Sequence, residues 1–295
     1  MGDVHFLTLA SGLRVAFGEY GARDGTPVFL CHGWPASQVQ GARLDAPGRE
    51  LGVRVISLDR PGVGLSQLQP GRRVIDWPPL LAEVADRLGV GTFRVLGISG
   101  GAPYALASAW ALPARVEAVA VVCGAPPFAD LPSMEGLLPA YRALVALYRV
   151  RPAAVRWLLR AARPFALADF PRWLVFLALR GLPTPDAAAL RDPEIGAMCL
   201  ANFRGAWSGS ADGVFADAEM YPQPWGFPIE EVRAPVRLWH GRDDRNFSWR
   251  LAEAMARRLP RCAARFLDGE GHYSLPMRRG GEILRDLVTA DFTEV

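Results

Sequence analysis

The sequence predicts an α/β fold with a mostly parallel, doubly wound sheet and an inserted helical cap. Up to residue 125, apolar segments with strand character are interspersed with helical segments, which is typical of a parallel sheet covered on both faces. From 126 to 228 there is no clear strand pattern, and proline-punctuated amphipathic segments predict helices. The strand and helix pattern then resumes. We therefore predict a core domain of residues 1–125 and 229–295, and a cap domain of residues 126–228.

The N-terminal elements follow from apolar segments and the turn residues between them. Phe6–Leu9 and Arg14–Tyr20 flank Ser11-Gly12 and predict a β-hairpin. In chain order, the next segments predict four buried strands and two helices: strands Pro27–Cys31 and Val53–Leu58, helix Leu80–Leu88, strand Thr92–Ile98, helix Ala102–Leu112 and strand Val116–Cys123.

The remaining elements are those of the cap and of the second part of the core. The cap helices are predicted at Leu137–Val150, Ala153–Ala162, Pro171–Arg180 and Pro185–Phe203. A proline-rich loop, Tyr221–Pro228, leads back to the core. There the sequence predicts strand Val236–His240, helix Trp249–Leu259, strand Ala264–Leu267 and a last helix starting at Gly281.

Composition predicts a globular protein with a large core and argues against several function classes. Of 295 residues, 51% are hydrophobic and 21% charged, and a net charge of +3 is too small to indicate a nucleic-acid partner. The four cysteines form no C-x-x-C pair, so we expect neither disulfides nor a zinc site. The N-terminus lacks signal-peptide features, and no apolar segment is long enough to span a membrane. We expect a cytoplasmic protein with a small-molecule substrate; its oligomeric state is not indicated.

The pentapeptide Gly97-Ile98-Ser99-Gly100-Gly101 lies between a predicted buried strand and a predicted helix. In that context G-x-S-x-G indicates a nucleophile elbow, a tight turn that pushes the serine hydroxyl out of the sheet. Its flanking positions tolerate almost no side chain. Ser99 is therefore the candidate nucleophile.

A serine hydroxyl needs a base to take its proton and an acid group to orient that base. Among four histidines, His272 lies in the loop after the last predicted strand, at the edge where parallel sheets build their sites. The base comes last in the order Ser, Asp, His, which also selects His272. The acid is expected in the loop after the preceding strand, where Asp243 and Asp244 both remain candidates.

Acyl transfer also needs two backbone N–H donors for the oxyanion, each typically worth roughly 3 kcal/mol. The N–H of Gly100 is one candidate, because it opens a helix whose dipole favours negative charge. The second candidate is the N–H of Trp34 in the turn His32-Gly33-Trp34-Pro35. In this interpretation His32, Gly33 and Pro35 support the loop, and His32 is not the base.

Four motifs follow one another along the chain: HGWP at His32–Pro35, DRPGVGLS at Asp59–Ser66, GISGG at Gly97–Gly101, and GRDD at Gly241–Asp244 followed by GEGHYSLP. On these motifs the chain resembles the α/β-hydrolase superfamily, specifically capped members with an H-G-x-P oxyanion loop. The resemblance covers essentially the whole core and not the cap. In that family the acid commonly lies three residues after the glycine that follows the penultimate strand. The resemblance therefore implies Asp244.

The residue at the elbow narrows the reaction that the resemblance implies. Relatives that open epoxides or displace halide carry Asp there, whereas this chain carries Ser99. The expected reaction is acyl transfer through an acyl-enzyme, followed by hydrolysis. Apolar and aromatic cap residues predict a partly closed apolar pocket. We thus expect a serine hydrolase acting on carboxylic esters of small to medium apolar substrates, with no cofactor and no metal.

Other functions remain open. A C–C bond hydrolase acting on a β-diketone or ring-cleavage product uses the same three residues, but needs a polar clamp that the sequence does not reveal. Lactonase, thioesterase and perhydrolase activities suit the same machinery. A ligand-binding protein on the same fold is a non-enzymatic alternative, which an active-serine probe distinguishes. The cap arginines are interpreted as a solvated face: Arg142, Arg149, Arg156, Arg160 and Arg163.

Overall fold

Eight strands form one sheet in the computed structural model, which describes residues 3–289 except 172, 173, 175, 176 and 178. The strands are β1 Val4–Thr8, β2 Arg14–Gly21, β3 Thr26–Cys31, β4 Val53–Leu58, β5 Phe93–Ile98, β6 Val116–Val122, β7 Val236–Gly241 and β8 Cys262–Leu267. Their spatial order is β1-β2-β4-β3-β5-β6-β7-β8. The β1–β2 and β2–β4 pairs are antiparallel, and the other pairs are parallel. The predicted fold class is confirmed.

Helices cover both faces of the sheet, so the central strands β3, β5 and β6 are almost entirely apolar. One face carries α2 (Trp77–Arg87), α3 (Ala102–Ala111) and α9 (Trp249–Arg258). The opposite face carries α1 (Asp45–Leu51) and α10 (Ser274–Thr289). Because β3 to β8 are paired in parallel, their carboxyl ends lie at one edge of the sheet.

Between β6 and β7 the described chain is helical: α4 (Pro139–Val150), α5 (Pro152–Leu167), α6 (Thr184–Arg191), α7 (Pro193–Trp207) and α8 (Ala211–Ala218). We call these helices the insertion. Its apolar cluster includes Leu159, Trp207 and Phe215 and packs against Val63 and Trp34 of the core. None of the described helices combines the length and apolar character that crossing a bilayer requires. Half of the predicted helix Pro171–Arg180, with Trp173 and Phe176, lies outside the described residues.

Several helix predictions were wrong at their ends. The last helix begins at Ser274 instead of Gly281, since Pro276 stands in its first turn, where proline is tolerated. The segment predicted as one helix over Pro185–Phe203 is two helices, because Asp192 caps α7 immediately before Pro193. Helices α1 and α8 are short, at seven and eight residues, and were not predicted.

Candidate active site

Ser99 follows β5 directly and has φ 53°, a backbone conformation that few residues other than glycine adopt. The turn is crowded. A Cβ atom on Gly101 would lie 1.9 Å from the carbonyl oxygen of Cys31, and one on Gly97 would lie 2.8 Å from the Cβ of Ala105. Glycine is therefore required on both sides, as the sequence predicted. The tight turn aims the Ser99 hydroxyl into a cavity above the sheet edge.

His272 lies between Ser99 and Asp244 in an unbroken chain of hydrogen bonds. With the ring proton on Nδ1, the imidazole donates to Asp244 Oδ2 at 2.8 Å, and its Nε2 accepts from the Ser99 hydroxyl at 2.9 Å. All three residues are buried. Asp244 Oδ1 accepts from the backbone N–H groups of Asn246 and Phe247 at 2.8 and 3.0 Å, which fixes the carboxylate. Asp243, the other candidate acid, is exposed.

The electrostatics distinguish His272 from the two other buried histidines. Burial lowers the pKa of His32 well below 6.5, and the Arg60 guanidinium lowers it further. Burial also lowers the pKa of His240, whose Nε2 contacts the carbonyl of Phe247 at 2.9 Å. Burial acts on His272 in the same direction, but the charge and hydrogen bond of Asp244 outweigh it and raise the pKa of His272. His272 is thus the buried imidazole that accepts a proton most readily.

The loop His32–Pro35 packs against the elbow. A Cβ atom on Gly33 would lie 3.4 Å from the Cβ of Ser99, and one on Gly100 would lie 3.1 Å from the Cβ of Trp34. Nδ1 of His32 lies 2.9 Å from the carbonyl of Gly33, and its Nε2 accepts from the backbone N–H of Arg60 at 3.3 Å. These contacts hold the loop in place. The peptide bond before Pro35 is cis.

A buried charge network that the sequence did not reveal ties this loop to the insertion. Arg60 donates to the carbonyls of His32 and Gly33. It also forms a bidentate ion pair with Asp217 of α8, with Nε 2.9 Å from Oδ1 and Nη2 2.7 Å from Oδ2. Arg72 also donates to Asp217. Burial alone would raise the pKa of Asp217, but the two arginines hold it well below its ordinary value. Arg60 belongs to the DRPG motif, whereas no sequence motif around Asp217 indicates that it is buried in an ion pair.

The cavity in front of Ser99 is apolar and partly open to solvent. Its empty volume is about 650 Å³, including the part at the opening. Core and insertion both line it, the main side chains being Trp34, Phe128, Tyr141, Leu144, Phe215 and Tyr221. Among the lining residues described, Glu219 is the only carboxylate and none is cationic. Burial raises the pKa of Glu219. The five arginines interpreted as a solvated face do not line this cavity, and Arg156 and Arg160 pair with Asp212.

One group of side chains among the described residues is close enough to share a metal ion: Cys123, Asp244 and His272, whose ligand atoms lie within 4.8 Å of one another. A metal there would have to replace the 2.8 Å hydrogen bond between Asp244 and His272. Burial raises the pKa of the Cys123 thiol well above its ordinary value, which disfavours the thiolate that metals bind. The group is better suited to proton transfer than to metal binding.

Comparison with known proteins extends the similarity over most of the chain. A family model described as the alpha/beta hydrolase family matches residues 28–286. A curated relative, a non-heme chloroperoxidase from Streptomyces lividans, is 31% identical over 123 residues, which make up 41% of this chain and 45% of that protein. The chain thus matches less than half the length of this relative.

Solved structures share the fold at low sequence identity. An esterase from Exiguobacterium antarcticum superposes with a TM-score of 0.68 at 19% identity and covers 98% of this chain and 100% of that one. An esterase from Rhodococcus sp. ECU1013 gives 0.69 at 20% identity, covering 98% and 99%. A bromoperoxidase from Bacillus anthracis gives 0.68 at 18% identity, covering 99% and 100%.

Proposed function

Since this chain belongs to the α/β-hydrolase family, we propose that it is a serine hydrolase that cleaves carboxylic esters of small to medium, mostly apolar substrates. The observation that carries the proposal is the Ser99–His272–Asp244 hydrogen-bonded chain at the wall of an apolar cavity. A buried serine, a basic imidazole and a fixed carboxylate in this order are the parts that nucleophilic acyl transfer needs.

In this mechanism His272 Nε2 takes the hydroxyl proton while Ser99 Oγ bonds to the ester carbonyl carbon. Asp244 holds the ring orientation and stabilises the imidazolium. The N–H groups of Trp34 and Gly100 stabilise the oxyanion. Collapse breaks the bond to the alkoxy oxygen, which receives the proton from His272 and leaves as the alcohol. Water then attacks the acyl-enzyme with His272 again as base, which releases the acid and restores Ser99.

We assign substrate selection to the cap, residues 126–228. Tyr141, Leu144 and Val145 of α4 and Val155 and Leu159 of α5 line the cavity opposite the core. Apolar lining without a cation favours esters over ring-cleavage products, because a second carboxylate on the substrate would meet Glu219 and no basic partner among the described lining residues.

The first test is hydrolysis of p-nitrophenyl esters from acetate to decanoate, together with labelling by a fluorophosphonate probe. We expect turnover with an optimum at a short or medium chain, because the cavity is apolar and limited in size. Leu144→Trp, which fills the cavity from α4, is expected to move the optimum to shorter chains. The matched control is Leu147→Trp on the same helix, because Leu147 is 36% exposed and does not line the cavity.

The outcomes separate the alternatives. Labelling without turnover of any ester in the series would point to a specialised substrate with a C–C, lactone or thioester bond. Neither labelling nor turnover would contradict the proposal and favour a ligand-binding protein. An identical shift in Leu144→Trp and Leu147→Trp would contradict the assignment of the cavity as the substrate site.

The pH dependence provides a second prediction. Proton transfer from Ser99 needs neutral His272, whose pKa lies above 6.5 because Asp244 outweighs the effect of burial. Activity is therefore expected to fall as pH drops through that raised value, and kcat/KM should show an acid limb with a midpoint above 6.5. Acid release from a methyl ester, followed at constant pH by titration, measures this without a titrating chromophore. A midpoint below 6.5 would contradict the assignment.

A further inference from the structure

The loop that carries His272 is held by a carboxylate that lies 86 residues away in the sequence. Asp186, near the start of α6 in the insertion, is 1% exposed. Its Oδ2 accepts from the backbone N–H of His272 at 3.0 Å, and its Oδ1 accepts from those of Tyr273 and Ser274 at 2.9 and 2.8 Å. Three consecutive backbone donors thus converge on one side chain.

The fit between this carboxylate and the loop is close. A Cβ atom on Gly271 would lie 2.5 Å from both carboxylate oxygens, so only glycine allows the approach. The three N–H groups lie at the start of α10, where the helix dipole favours a negative charge. Among the described residues Asp186 pairs with no arginine, so backbone donors alone satisfy its oxygens.

The polar groups around His272 come from several elements: Ser99 after β5, Cys123 after β6, His240 at the end of β7, Asp244 in the following loop, Asp186 of α6 and Tyr273. Burial disfavours its charged form, Asp244 strongly favours it, and Asp186 adds to the effect of Asp244 on the pKa of His272. The insertion thus supplies a second negative charge beside the imidazole.

We propose that Asp186 is a positioning residue: its three backbone hydrogen bonds fix the loop of His272 against Ser99 and Asp244. The inference rests on the proposed function. Because α6 belongs to the insertion, the insertion both lines the substrate cavity and helps to hold His272, the proposed general base, in place.

The test compares Asp186→Asn with Asp192→Asn and wild type. The asparagine amide of Asp186→Asn would keep the shape and one acceptor oxygen but lose the charge and part of the three-donor contact. Asp192 is the matched control, since it also accepts two backbone N–H bonds at a helix start, both at 3.0 Å, but is exposed. Ester kcat and KM, fluorophosphonate labelling rate and thermal midpoint are measured for each protein across pH.

For Asp186→Asn we expect kcat to fall at least about tenfold on the pH-independent plateau, because misplacing a reacting group is costly. KM is expected to stay within about twofold, because Asp186 does not line the cavity. Removing the charge lowers the pKa of His272, so the acid limb should move to lower pH. Asp192→Asn is expected to match wild type in kcat and in the acid limb.

A lower thermal midpoint with an unchanged acid limb and kcat within twofold of wild type would overturn the proposal and leave Asp186 a structural role. If Asp186→Asn fails to fold, Asp186→Glu, which keeps the charge but displaces the carboxylate, is measured in its place, and kcat within twofold of wild type would overturn the proposal. Wild-type protein that neither reacts with the probe nor hydrolyses any ester would instead contradict the proposed function, so the two failures are distinguishable.

Discussion

Ser99→Ala is expected to lower kcat for ester hydrolysis by at least about 10⁴-fold. The Ser99 oxygen is the atom placed to accept the acyl group, and it is hydrogen-bonded to His272 at 2.9 Å. Without it, His272 and Asp244 have no nucleophile to activate, and only positioning and oxyanion stabilisation remain. KM should change little, because alanine removes one small polar atom from an apolar cavity. Steady-state kinetics across the ester series measure the effect, and probe labelling should disappear.

Ser108→Ala is the matched control for this variant. Ser108 is also buried and lies on α3, the helix that follows the elbow, where its hydroxyl donates to the carbonyl of Tyr104 at 2.8 Å. We expect near-wild-type kcat and labelling, with a small loss of stability. A Ser99→Ala enzyme that kept more than about a hundredth of wild-type kcat would show that another group attacks the ester.

Asp217→Asn is expected to lower the free energy of unfolding by about 3–5 kcal/mol, because it leaves Arg60 and Arg72 buried without a counter-charge. Both ion pairs with Asp217 are almost fully inaccessible to solvent, with 0–3% of each side chain exposed. Urea unfolding monitored by tryptophan fluorescence measures the change. Arg60 also donates to the carbonyls of His32 and Gly33. Asp217→Asn is therefore expected to lose ester hydrolysis at urea concentrations below those that unfold it.

The same helix offers a matched control for this prediction. Asp212 of α8 also lies beside two arginines, Arg156 and Arg160, but its side chain is 36% exposed. Asp212→Asn is expected to change the free energy of unfolding by at most about 1 kcal/mol, since solvent screens the pairs. Equal effects at the two positions would show that burial of the Asp217 network does not determine its contribution.

The helix ends illustrate where sequence patterns are weak. The last helix was predicted to start at Gly281, but it begins at Ser274. Pro276 lies in the first turn, which needs no N–H donor, and Gly280 lets the helix approach Leu44 closely. Such choices depend on what the helix packs against, and a local pattern does not contain that information.

The candidate acid shows the same limit. Asp243 and Asp244 are adjacent and chemically identical, so composition and spacing leave both open. In the structure Asp244 is buried and accepts from His272 and two backbone N–H groups, whereas Asp243 is exposed. The family resemblance implied Asp244; a direct reading of the residues did not.

By itself, the sequence determined the α/β class, most strands, the elbow around Ser99 and the loops of His272 and Trp34. These features depend on local rules, namely apolar periodicity, turn glycines and the position of loops after strands, which a linear sequence contains. The tertiary structure alone decided that Asp186 and Asp217 of the insertion reach into the core. Each stands in a short helix like many solvent-facing acids, and its partners lie 86 to 157 residues away. Only folding brings the donors to the carboxylate, so no local pattern distinguishes a buried acid of this kind from an exposed one.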